Sequence, residues 1–264
     1  MTLTGGKVLI TGATGGIGQA IARAFDARGA TLTLTGRKLA VLEPLAEEVG
    51  GRAVACDLSN RADVERLVAQ AGEVDVLVAN AALPGTGELT ELSQEEIDRM
   101  LEVNLRAPIA LSRALAPGMI ARRRGHIVFV SSLSGKAAAR ASSIYSATKF
   151  GLRGFALGVR EDLRDHDVGA SVVLPGFIRE AGMFADADIE LPRMVGTRSP
   201  EDVAAAVIRA IERNRAEVEV APLGLRLGAS IASIAPQIAA SVSRRMGGEK
   251  VANDLAAGQL DKRS

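Results

Sequence analysis

Tyr145 and Lys149 lie four residues apart in a stretch that reads as helix from about Ser143 to Arg164, so their side chains leave from one face. A phenol with its usual pKa of about 10 exchanges protons poorly near neutrality. An ammonium beside it favours the phenolate, so the pair predicts a tyrosine that titrates below that value and serves proton transfer. Tyr145 is the chain's one tyrosine, and tryptophan is absent. Two polar residues accompany the pair. Ser132 follows the apolar run His126–Ser131, thirteen residues before Tyr145, and Asn104 interrupts a long helical region further upstream.

A second feature stands near the start of the chain. The apolar run Lys7–Thr11 leads into Thr11-Gly12-Ala13-Thr14-Gly15-Gly16-Ile17-Gly18. A glycine-rich turn between a first strand and a helix is a phosphate cradle. Small residues admit a pyrophosphate against the backbone, and the helix start offers free N–H groups and the positive end of its dipole. Gly12, Thr14, Gly16, Ile17 and Gly18 are expected to line it. No Lys-Ser/Thr pair follows, which excludes an ATP-type phosphate loop. At the end of the second strand, where a carboxylate would take the ribose hydroxyls of NAD, stand Gly36, Arg37 and Lys38. Arg37 can fork onto a 2′-phosphate, so the expected cofactor is NADP(H) rather than NAD(H). Asp57-Leu58 and Asn80-Ala81-Ala82 follow strands three and four, at the sheet edge where such ligands bind.

The elements that must position these groups are short β-branched runs alternating with helical patterns. Strands are expected at Lys7–Thr11, Thr31–Thr35, Arg52–Cys56, Val74–Ala79, His126–Ser131, Ala170–Leu174 and Val218–Ala221. Helices are expected at Gly16–Arg28, Lys38–Glu48 and Arg61–Ala71. A long helical region opened by the Ser93–Glu96 capping box ends near Arg123, and a last helix is capped by Ser199-Pro200. Repeated βα alternation implies an α/β fold: a Rossmann-type doubly wound parallel sheet of about seven strands with helices on both faces. The expected organisation is a nucleotide-binding domain over 1–221 with an integral catalytic site, and a C-terminal helical extension over 222–264 of the same domain. Phe177–Arg198 lacks periodicity and reads as a surface loop.

Composition narrows the partners. The chain has 264 residues, 47% hydrophobic and 24% charged, with 32 Lys+Arg against 31 Asp+Glu for a net charge of +1. That balance gives no electrostatic case for nucleic acid or an anionic membrane surface. One cysteine, Cys56, excludes a disulfide framework and a cysteine-based zinc site, and two histidines, His126 and His166, leave little for a metal centre. The lack of a membrane-spanning apolar run and of a signal-peptide pattern makes the expected location cytoplasmic.

Together, Thr11–Gly18 as TGxxxGIG, Asn80-Ala81-Ala82, Asn104, Ser132, Tyr145-x-x-x-Lys149 and Pro175-Gly176 resemble the short-chain dehydrogenase/reductase family, in the family's order and over about residues 5–221. The resemblance implies a carbonyl–alcohol oxidoreductase. Tyr145 would be the general acid for reduction and the base for oxidation. Lys149 would lower its pKa and hold the nicotinamide ribose. Ser132 would hydrogen-bond the substrate oxygen, and Asn104 would anchor a water relay toward Lys149. Pro175, Gly176 and Ile178 join the expected cofactor contacts. It also implies a homo-dimer or homo-tetramer built through the long helical regions ending near Arg123 and Arg164. Two departures stand out. Ala82 replaces the family's usual glycine, and Glu180 occupies a position where the family often has a cofactor-contacting threonine; it is expected to turn away or pair with Arg179.

The remaining residues read more simply. Cys56 is expected to be a buried small hydrophobe. His126 and Ser132 sit six residues apart along a strand, roughly 20 Å, which rules out a hydrolase pair. Arg122–Arg124 reads as a solvated helix end. Phe177, Met183, Phe184, Ile189, Leu191 and Met194 suit an apolar substrate or a loop that packs on its own core. Leu223, Leu227, Ile231, Ile234, Ile238 and Val242 form a stripe expected to pack on the domain or on a partner subunit, broken or kinked at Pro236. The expected activity is therefore NADP(H)-dependent reduction of an apolar carbonyl substrate. The rival readings are a nucleotide-binding protein without turnover and a dehydrogenase held at a lipid surface by residues 223–245.

Overall fold

The structure, a computed structural model, describes residues 2–180 and 196–245. Strands β1 (Lys7–Thr11), β2 (Thr31–Gly36), β3 (Arg52–Ala55), β4 (Val76–Ala79), β5 (Gly125–Val130), β6 (Val168–Pro175) and β7 (Glu217–Val220) form one parallel sheet in the order β3-β2-β1-β4-β5-β6-β7. The helices are α1 (Gly16–Asp26), α2 (Leu39–Glu48), α3 (Arg61–Ala71), α4 (Gln94–Leu101), α5 (Ala107–Ala121), α6 (Ser143–Leu163), α7 (Pro200–Glu212), α8 (Leu223–Ile234) and α9 (Pro236–Arg245).

The inner strands β1, β4, β5 and β6 are largely apolar on both faces because helices cover both. Val8 and Ile10 of β1, Val76 and Val78 of β4 and Val173 of β6 face α1, α2 and α7, against Ile21, Phe25, Leu42 and Val207. The alternate residues Leu9, Leu77, Phe129 and Val172 face α3, α5 and α6, against Leu67, Leu111 and Leu152. The chain leaves β1 toward β3, then returns to β4 on the other side. The C-terminal ends of β1 and β4 therefore border the crevice in which such sheets bind ligands.

Two elements differ from the sequence expectation, and the break at Pro236 agrees with it. The long helical region is not continuous: α4 and α5 are joined by a π-wound segment, Glu102–Arg106, that carries Asn104. Pro236 does break the C-terminal helix. Ala235 before it takes φ −131° and ψ 68°, outside the helical region that a proline disfavours for its predecessor. The apolar stripe does not pack on the domain. Leu223, Leu227, Ile231, Ile234 and Ile238 are exposed, Ile234 to 87%. Ala229 is the buried residue of α8, and the Ser233 hydroxyl donates to the Lys136 carbonyl at 3.1 Å, so the small face meets the sheet domain and the large aliphatics face outward. The side chain of Val242 lies outside the described residues, as do Met183, Phe184, Ile189, Leu191 and Met194 of the proposed substrate loop.

Arg122–Arg124 is not merely a solvated helix end. Arg122 and Arg124 reach Asp75, and Arg123 pairs with Asp167, at the N-terminal edge of the sheet. Among the described residues, no helix is long and apolar enough to cross a membrane.

Candidate active site

The glycine turn is built by close approach. Gly12 has φ +66°, and a Cβ there would lie 2.7 Å from the Ala81 Cα; a Cβ on Gly18 would collide with the Gly12 carbonyl. Thr11 stitches β1 to β4. Its hydroxyl accepts from the Asn80 and Ala81 amides at 3.0 and 3.1 Å, and the Asn80 side-chain amide donates to the Thr11 and Gly12 carbonyls. Asn80 thus buttresses the turn with its side chain. Helix α1 starts at Gly16 with no side-chain cap and no acidic residue in its first turn, which leaves its N–H groups to an anion. These residues fit the diphosphate of a dinucleotide.

Thr14 lies over Gly36, where any Cβ would meet the threonine methyl at 2.8 Å. Arg37 follows, exposed at the end of β2. Asp57, at the end of β3, accepts from the Ser59 amide and hydroxyl at 2.9 and 2.7 Å. Partial burial opposes its ionisation, but these hydrogen bonds, with Arg99 and Arg37, hold its carboxyl below the usual range. Leu58 and Ile178 place their side chains in the two apolar cores, so only their main chains are left for a ligand. Pro175 ends β6, and the Gly176 amide donates to the Val220 carbonyl at 3.0 Å. Glu180 pairs with Arg179 at 3.1 Å and turns to solvent.

The catalytic candidates converge at the C-terminal ends of β4 and β5. Asn104 is fully buried; its carbonyl oxygen accepts from the Leu83 amide at 2.7 Å and its amide donates to the Leu83 carbonyl at 2.9 Å. The π-wound segment aims this side chain at the chain leaving β4. Ser132 caps a 3-10 turn, Leu133–Gly135, accepting from the Ser134 amide at 3.1 Å, and its hydroxyl favours the Tyr145 phenolate. A Cβ on Gly135 would lie 2.7 Å from the Lys149 carbonyl, so glycine lets the serine turn sit directly on α6.

Lys149 is 2% exposed, its Nζ donating to the Val130 carbonyl at 3.1 Å and lying 5.6 Å from the Tyr145 ring centre. Burial pulls its ammonium down to about 8. The expectation of a phenol below 10 is corrected here. Burial pushes Tyr145 up to about 12, and the Ser132 hydrogen bond recovers only part of that rise. The ammonium leans on a main-chain carbonyl, not on the phenol oxygen, so desolvation dominates.

Cys56 is buried, its thiol pushed up to about 11. His126 lies at the opposite end of β5 from Ser132, its Nε2 2.8 Å from the Ser171 hydroxyl. That hydroxyl donates to the Arg215 carbonyl. In the sequence, Thr11 falls in the glycine motif without an expected role, and the β7 glutamates Glu217 and Glu219 carry none either. Their signals were a hydroxyl ending an apolar strand and the Glu-Val-Glu-Val alternation.

A parallel sheet with an uncapped glycine turn at its switch point and a Ser–Tyr–Lys set beside it defines a dinucleotide-dependent oxidoreductase architecture. The family model described as short chain dehydrogenase matches residues 6–190, and the chain belongs to the short-chain dehydrogenase/reductase family. The chain is 38% identical to the ketoacyl reductase HetN of a Nostoc species, over 83% of this chain and 79% of that one. It is 33% identical to dehydrogenase/reductase SDR family member 7B of Xenopus laevis, over 89% and 80%. Among solved structures it resembles a Sphingobium yanoikuyae short-chain dehydrogenase in complex with NADPH, with a TM-score of 0.75, 28% identity, and 81% and 87% of the two chains covered. A metagenomic short-chain oxidoreductase in complex with NADP gives a TM-score of 0.71 and 35% identity, over 84% and 99%.

Proposed function

We propose that the chain is an NADP(H)-dependent reductase of an apolar carbonyl compound, interconverting ketone and secondary alcohol. The observation that carries this is the convergence of Ser132, Tyr145 and Lys149 beside an uncapped α1 start. Arg37 supports the choice of NADP(H). It is exposed at the end of β2, and its chain neighbours, Gly36 and Lys38, bring no carboxylate to repel a 2′-phosphate, although Asp57 lies within reach of its charge. The bound nicotinamide would supply the hydride. In this reading Ser132 holds the substrate oxygen and Tyr145 delivers the proton to it. Lys149 steadies the ribose and the charge near the phenol, while Asn104 fixes the chain after β4 and anchors a water path toward Lys149. Gly12, Thr14, Gly16, Ile17 and Gly18 line the diphosphate, and the main chain around Asp57, Leu58, Asn80, Pro175, Gly176 and Ile178 lines the rest of the cofactor.

The test is NADPH consumption with a panel of aliphatic ketones and 3-ketoacyl thioesters, run in parallel with NADH. Turnover with NADPH, and a KM for NADPH raised about ten-fold or more in Arg37→Ala with the NADH value unchanged, is expected. Tight NADPH binding with no turnover of any carbonyl would favour the non-catalytic nucleotide-binding reading.

The exposed stripe of α8 and α9 supports a second element of the proposal: the chain works as a homo-oligomer, with this stripe against another copy. Arg226, the one charged residue of α8, is paired with Glu219 at 2.9 Å. The α8 part of the stripe therefore presents neutral aliphatic surface, which suits a protein partner better than lipid headgroups.

A further inference from the structure

A chain of ion pairs outside the reacting atoms joins both halves of the catalytic set. On β7, Glu217 and Glu219 are two residues apart and share a face. Glu217 gives one carboxylate oxygen to Lys136 and the other to Arg153 at 2.6 Å. Glu219 gives one to Lys136 at 2.6 Å and the other to Arg226 at 2.9 Å. Lys136 is the residue that leaves the Ser132 turn. Arg153 stands one helical turn beyond Lys149 on α6. Arg226 belongs to α8. The centre of the chain is largely shielded: the Lys136 side chain is 11% exposed and those of Glu217 and Glu219 are 21% and 11%. Burial opposes the Lys136 ammonium, yet its hydrogen bonds to Glu217 and Glu219 outweigh that and raise its pKa; burial likewise opposes the Glu219 carboxylate, but hydrogen bonds from Lys136 and Arg226 hold it below its usual range.

We propose that Glu217 is a positioning residue: through Lys136 and Arg153 it fixes the Ser132 turn in register with the helix that carries Tyr145 and Lys149. Exposed ion pairs contribute little, and shielded ones cost desolvation that only complete pairing offsets. Each Glu217 oxygen has its own cation, and the two cations lie on the two elements whose separation sets the Ser132–Tyr145 distance. The turn also rests on α6 directly, through Gly135 and through the Ser131 hydroxyl, which donates to the Lys149 carbonyl at 2.9 Å. Glu217 adds a charged link between the same two elements. The inference rests on the hydride-transfer roles proposed above for Ser132 and Tyr145.

The experiment compares wild type with Glu217→Gln, Lys136→Met and Lys136→Arg in two readouts. Amide hydrogen exchange needs no substrate. In Glu217→Gln and Lys136→Met, exchange at residues 132–137 and at the start of α6 is expected to rise several-fold, with the glycine turn at 12–18 unchanged. In turnover, kcat is expected to fall about ten- to hundred-fold, the cost of small misplacements at a reacting centre, with the KM for NADPH unchanged and most activity retained by Lys136→Arg. Unchanged exchange at the Ser132 turn would overturn the proposal, and so would faster exchange with wild-type kcat, which is what a purely structural network would give. If the wild-type chain reduces no carbonyl, the hydride reading is what has failed. The exchange measurement then still decides whether Glu217 holds the turn.

Discussion

Tyr145 carries the heaviest chemical demand, and its surroundings set a clear expectation. Burial raises the phenol to about 12 in the free protein, so ultraviolet difference titration should show no tyrosinate below about pH 11. Because the chain has one tyrosine and no tryptophan, the signal belongs to one side chain. Adding NADP⁺ is expected to lower the onset by bringing positive charge and ribose hydroxyls beside the phenol and Lys149. An onset unmoved by saturating NADP⁺ would remove Tyr145 from the proton path. Tyr145→Phe is expected to lower turnover about a thousand-fold, within the range for general acids, while calorimetry gives an unchanged NADPH affinity. Full activity in that variant would end the mechanism. The residue identities were legible in the sequence because spacing alone places Tyr145 and Lys149 on one helix face. The phenol's direction of shift was not, because spacing cannot say that Lys149 Nζ bonds the Val130 carbonyl instead of approaching the phenol oxygen.

The elements show the same division. The inner strands β1, β4, β5 and β6 were readable as near-continuous apolar runs because helices cover both their faces, while β2 and β7 were readable from Thr-Leu and Glu-Val alternation. The π-wound break at Asn104 was visible only as a polar interruption; its geometry depends on Leu83, more than twenty residues away in sequence. Glu217 and Glu219 could be seen as alternating acids, but their partners come from three other elements. On β5, His126 gives an element-scale prediction. Burial, with Arg160 nearby, drops its pKa from 6.5 to about 3. The unfolded chain takes up this proton more readily, so folding stability from His126 is complete above about pH 6.5 and is lost as pH falls toward 3. The slope is at most about 1.4 kcal/mol per pH unit. Urea titrations between pH 6.5 and 4.5 should show a shallower loss in His126→Gln than in wild type. Equal slopes would mean that the buried imidazole is not the acid-sensitive group.

At the scale of the molecule, the outward stripe of α8 and α9 removes one of its two expected partners, the chain's own domain, and leaves the other, a second subunit. Helical periodicity correctly gathered Leu223, Leu227, Ile231, Ile234 and Ile238 on one side, but a single sequence cannot say which side of a helix meets its own domain. Light scattering on the intact chain is expected to give a multiple of 27.4 kDa, and Ile234→Asp is expected to halve it, because a charge there opposes burial against a second copy. An unchanged mass, with phosphatidylglycerol vesicles binding the wild type and not the variant, would assign the stripe to lipid instead. The strand order has a consequence for how the protein is made. β1 pairs with β2 soon after both are synthesised, but its other neighbour, β4, begins only at Val76. As the chain emerges from the ribosome, the nucleotide half has one open flank until β4 arrives. The cleft that will hold the dinucleotide is thus created late, by the closing of an edge, and a chain stalled before Val76 would expose β1 as a template for aberrant pairing.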